Sequence, residues 1–193
     1  MPLPEQVHWL FGTGFLTLGL FLLAEAVVGP TVWRKRRWRA YLWPSTMFLM
    51  GLAMWPVMVF FTTSTLHMLA HGAWAEVMMI AGAAELGLAS GKLRNPLWRL
   101  AIVNAFVVTG IAFLIHEQND WFFQRSAFLH HLLGWTFLIT AIFPLGRVIR
   151  PRATVFATGF ALAFVVVGII CYTDRDVAPV FGHLSPLAGE PHR

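Results

Sequence analysis

The sequence predicts an all-α, polytopic integral membrane protein: a bundle of six transmembrane helices with both termini on the extracytoplasmic side. Hydrophobic residues make up 58% of the chain and charged residues 12%, with a mean hydropathy of +0.66. That balance suits lipid as solvent rather than water. Six apolar runs of near-spanning length follow one another, and lysine and arginine collect in alternate turns, the asymmetry that marks cytoplasmic loops.

The first run, His8 to Val28, follows a start that lacks the basic stretch of a secretory signal, and no small-residue cleavage pattern precedes Arg34. It is expected to be kept as the first helix. Tyr41 to Thr63 contains Pro44 and Pro56, which should bend the second helix while neighbours take up the freed carbonyls. Ala70 to Ser90 carries the small-residue run Ala81-Gly82-Ala83-Ala84, suited to close helix packing. Leu100 to Ile115 is the shortest run and uses Arg99 and His116 at its two interfaces to complete a span over 99–116. Ser126 to Leu145 and Ala153 to Cys171 complete the set, and residues 172–193 read as an extracytoplasmic tail. These spans use nearly the whole chain, so residues 1–193 are expected to form a single membrane domain.

Orientation follows from the loops. One set of turns holds Arg34, Lys35, Arg36, Arg37, Arg39, Lys92, Arg94, Arg99, Arg147, Arg150 and Arg152; the other set, tails included, holds only Arg125, Arg175 and Arg193. The first set is therefore cytoplasmic. Glu5, Glu117, Asp120, Asp174, Asp176 and Glu190 all fall on the opposite side. The net charge of +5 is thus a topology signal, and a nucleic-acid partner is excluded. Cys171 is the only cysteine, which excludes a disulfide framework or a thiolate cluster within one chain.

This orientation puts every histidine outside or in the outer leaflet. His67, His71, His116, His130 and His131 come from the outer ends of helices two to five, which short connections would bring together in an antiparallel bundle. His67 and His71 are spaced i, i+4 and share a face if the backbone between them is helical. With His116 and His130 or His131 they form a candidate transition-metal site, and Glu76, Glu117 and Asp120 are placed to hydrogen-bond the outer imidazole nitrogens. Imidazole and carboxylate without thiolate suit zinc, copper, iron or nickel rather than magnesium or calcium, with copper or zinc the leading choice. The plainer alternative is that interfacial histidines bond one another, headgroups or loop carbonyls. Met47, Met50, Met54 and Met58 form a stripe on helix two pointing toward Met68, either a thioether path for copper(I) or core filler. Glu25 and Glu85 lie near cytoplasmic helix ends, where pairing with the basic turns or reaching water is expected ahead of a proton or cation path.

The stretches His71-Gly-Ala-Trp-Ala-Glu76, Ala81-Gly-Ala-Ala-Glu-Leu86, Ala112-Phe-Leu-Ile-His116-Glu-Gln118 and Phe128-Leu-His130-His131-Leu-Leu133 resemble the core of the transmembrane-45 family of multi-helix membrane proteins, over roughly residues 67 to 150. The resemblance implies a shared polar site of His71, His116 and one of His130 or His131. Gln118 stands where a second histidine is expected after His116.

The leading functional expectation is metal binding or handling at the outer face. The alternatives are a b-type haem or quinol-reactive electron carrier with two axial histidines, and a zinc hydrolase using Glu76, Glu117 or Asp120 as base near Ser64. A further alternative is an accessory subunit of a membrane complex. Expected partners are the lipid bilayer and a second copy or a membrane-complex subunit.

Overall fold

The computed structural model describes residues 4–61, 65–115 and 123–173, with side chains except those of residues 4–5, 59–61, 66–67 and 123–127. The described residues are helical and include no strand. The helices are α1 (Pro4–Val28), the short α2 (Pro30–Trp33), α3 (Leu42–Phe61), α4 (Thr65–Ser90), α5 (Leu100–Ile115), α6 (Phe123–Thr140), α7 (Ile142–Ile149) and α8 (Thr154–Tyr172). Single 3-10 turns, Arg37–Tyr41 and Pro96–Arg99, lead into α3 and α5.

Five stretches are long and apolar enough to cross a membrane: Gln6–Val28, Met68–Ser90, Pro96–Ile115, Phe128–Ile149 and Thr154–Tyr172. The second apolar run forms α3, a 20-residue helix packed between α1 and α4.

Local chemistry explains where elements depart from the apolar runs. Helix α4 begins at Thr65, ahead of the run that starts at Ala70, so His67 and His71 lie on continuous helix. The fifth run divides into α6 and α7 because Pro144 has no N–H to offer the carbonyl of Thr140, although Ala141 N and Leu145 N still reach back to Phe137 O at 3.0 Å and Ala141 O at 3.2 Å. Pro44 lies in the first turn of α3, where its missing N–H costs nothing, whereas Pro56 is internal.

The helices form a closed ring. Helix α1 packs on α3, α3 on α4, α4 on α5, α5 on α6 and α7, and these on α8, which packs extensively back on α1. Glycines permit the closest crossings. A Cβ at Gly12 would lie 3.1 Å from the carbonyl oxygen of Gly168, and one at Gly168 2.9 Å from that of Gly12. Gly110 and Gly134 have the same reciprocal relation, 2.9 Å each way, between α5 and α6. Backbones approach this closely only where neither helix carries a side chain. The small-residue run on α4 is used as expected: a Cβ on Gly82 would meet the Phe48 backbone at 2.7 Å.

Phenylalanines fill the ring. Phe15, Phe106, Phe137, Phe160 and Phe164 are at most 2% exposed. Their rings meet at 5.4 Å for Phe106 and Phe137, 5.2 Å for Phe106 and Phe164, and 5.8 Å for Phe15 and Phe137. Met47, Met50, Met54 and Met58 all point into this core, so the methionine stripe faces inward along its length.

Candidate functional site

The phenylalanine layer separates two polar regions. One, the histidine end, lies beside the start of α1; the other, the arginine end, lies where α1 and α4 finish.

At the histidine end, His130 on α6 is buried, its ring 5.8 Å from that of His8 on α1 at 69° and 5.5 Å from Phe113 on α5. Trp74 on α4 packs edge-on against Phe11 on α1 at 5.0 Å. His8 precedes Phe11 by three residues and His71 precedes Trp74 by three. Both helices run away from this end, so His8 and His71 each sit about 4.5 Å outward of that aromatic contact. His71 is half-buried. Nε1 of Trp74 is buried without a hydrogen-bond partner.

The predicted site residues divide accordingly. His67 lies on the α4 helix four residues before His71, and its side chain is outside the described set. His116, Glu117 and Asp120 also lie outside the described residues, as does Ser64. His131 and Glu76 are exposed, on the outward sides of α6 and α4. Met50, Met54 and Met58 are buried, whereas Met68 is 48% exposed. Among the described residues no group of three or more His, Cys, Asp or Glu side chains gathers closely enough to hold a metal ion.

His8 was not among the predicted ligands. Its signal is the interior stripe of α1: Phe11, Phe15, Leu18, Leu22 and Glu25 are all buried, and the stripe extended back one turn reaches His8.

At the arginine end, Nε of Arg34, which caps α2, donates to Oε1 of Glu25 at 3.2 Å. The positive-φ turn at Gly29 brings α2 back under α1 to make this pairing. Glu85 is buried on the α4 stripe Trp74, Met78, Ala81, Glu85. It lies in the field of Arg147, Arg99 and Arg34 and of Glu25. The Arg147 guanidinium stands over the rings of Phe160 at 4.7 Å and Trp43 at 5.9 Å, and Arg39 stands over Trp33 at 5.1 Å. Nε of Arg99 is buried without a partner. Glu25 thus pairs with a basic turn, as expected for a carboxylate at that depth.

Comparison with family models, curated proteins and solved structures finds no match to this chain. Chemically, two imidazoles in ring contact at the edge of an apolar core are suited to sharing a metal ion or a proton. Guanidinium groups on aromatic faces are suited to oxyanions.

Proposed function

We propose that the chain is a six-span integral membrane protein with both termini extracytoplasmic, and that it binds a copper or zinc ion at its histidine end. The spanning reading draws on five helices of sufficient length and apolarity and on a sixth, α3, whose 20 residues reach about 30 Å. It also draws on large apolar side chains exposed around the ring, among them Leu20, Leu49, Ile111, Trp135, Ile139 and Ile169. Such a continuous apolar girdle needs lipid against it. All the basic turns fall at the other end from His8 and His130, which supports a cytoplasmic arginine end.

The contact between His8 and His130 carries the metal reading. An ion held at about 2.0–2.1 Å by one nitrogen of each imidazole leaves the ring centres roughly 5–6 Å apart, and the observed separation is 5.8 Å. His71 lies at the same level on α4, and His67 or His116 is the proposed source of a further ligand. A relation to the transmembrane-45 family would place His71 and His130 in the same site.

Elemental analysis of the detergent-purified full chain, as isolated and after incubation with copper or zinc followed by desalting, tests this. One bound ion per chain is expected, with most of it lost in His8→Ala and in His130→Ala. No stoichiometric metal in any sample overturns the proposal. A Soret band in the same samples replaces it with the haem reading.

A further inference from the structure

The arginine end gathers three guanidinium groups, Arg34, Arg99 and Arg147, and two carboxylates, Glu25 and Glu85. Only one pair is closed, Arg34 with Glu25 at 3.2 Å. Glu85 is 7% exposed, and among the described residues it makes no ion pair within 4 Å and no side-chain hydrogen bond. Arg147 is held by the faces of Phe160 and Trp43, which leaves the in-plane N–H edge of its guanidinium available. Nε of Arg99 is buried and unbonded. A buried guanidinium N–H without a partner, as at Arg99 Nε, is costly unless another group satisfies it, and Glu85 and the edge of Arg147 add unused hydrogen-bonding capacity beside it.

We infer that this patch binds the phosphodiester headgroup of an anionic phospholipid of the inner leaflet, Arg99 and Arg147 donating to the phosphate and Glu85 accepting from headgroup hydroxyls. Three features select that chemistry. The five charges sum to +1, which a phosphodiester monoanion neutralises. The planar guanidinium forks match its paired oxygens. Glu85, an acceptor only, requires a ligand that also donates, as the hydroxyls of a glycerol headgroup do. The position agrees: the patch is at the ends of α1, α4 and α7, beside exposed Lys35, Arg36 and Arg37, which attract anionic lipid. Exposed Trp38 and Trp98 lie at the same level, where indoles meet headgroups. The inference rests on the membrane-spanning orientation proposed above and is independent of the metal.

The test is native mass spectrometry of the full chain in detergent with equimolar phosphatidylglycerol, phosphatidic acid and phosphatidylcholine. Phosphatidylglycerol should be retained about tenfold over phosphatidylcholine, whose choline cation cancels the phosphate charge that the net +1 patch attracts and offers Glu85 no hydroxyl. Arg99→Gln and Arg147→Gln, which remove the net positive charge of the patch, should each bring that ratio to within about twofold, while Arg152→Gln on a separate exposed turn should leave it unchanged. Should the Arg147 variant not fold, Glu85→Gln serves in its place: it should bind phosphatidylglycerol and phosphatidic acid alike, where the parent prefers the former. Equal retention of phosphatidylglycerol and phosphatidylcholine by the parent protein overturns the inference. Displacement of the lipid by equimolar glycerol 3-phosphate overturns the lipid assignment in favour of a soluble phosphate ester. A sample without metal that keeps phosphatidylglycerol separates failure of the metal site from failure of this one.

Discussion

Glu25 and Glu85 lie at similar depth on parallel helices, yet only Glu25 has a guanidinium in contact. Its partner Arg34 is 55% exposed, so the attraction itself contributes under about 1 kcal/mol. The carboxylate is 11% exposed, and leaving it unpaired costs more, about 1–3 kcal/mol. Arg34→Ala should therefore destabilise the protein more than Glu25→Gln, which removes the charge together with the need for a partner. Thermal melts of the two variants in one detergent check the order; equal or reversed losses contradict it.

Residue-level reading of the sequence succeeded where a side chain's role follows from depth and charge, as it does for Glu25. It did not separate His130 from His131, because hydropathy is blind to facing. The missing signal was Gly134, one turn beyond His130: a glycine that lets two backbones touch marks the interior face. The same reasoning on α4, through Trp74, Met78 and Ala81, leads to Glu85 rather than to exposed Glu76.

At the scale of elements, the helices were legible because a bilayer demands long apolar runs with every backbone group bonded internally. Their ends were less so. The break between α6 and α7 and the early start of α4 depend on single N–H groups and on helix propagation past polar residues, neither of which changes mean hydropathy. Packing between elements turns on glycine in opposite ways at two sites. A Cβ at Gly110 would meet the Gly134 carbonyl oxygen at 2.9 Å, while at Gly72 the nearest atom is Met58 Sδ at 3.8 Å. Gly110→Ala should force α5 and α6 apart at a cost of about 1–3 kcal/mol, whereas Gly72→Ala should gain about 0.5–1 kcal/mol from improved helix propensity. Denaturant titrations of the two variants should move in opposite directions.

For the whole molecule, the proposed number and direction of spans rest on hydropathy and charge, whereas closure of the ring is visible only in the structure. The two helices that close it, α1 and α8, are far apart in sequence and have no short connection to announce their contact. That closure also explains why His8, near one end of the chain, meets His130. The proposed orientation predicts that, in a Cys171→Ala background, Ser90→Cys reacts with an impermeant maleimide only after the membrane is opened. Labelling of intact cells would reverse the topology and move the histidine end to the cytoplasm.

The hydroxyls of Thr13 and Tyr172 bond at 2.5 Å across 159 residues, beside the glycine crossing of α1 and α8. Seen as an order of events, the side of α1 that faces α8 stays uncovered until a segment 159 residues downstream has been made. Until then the notch at Gly12 has no Gly168 backbone to fill it.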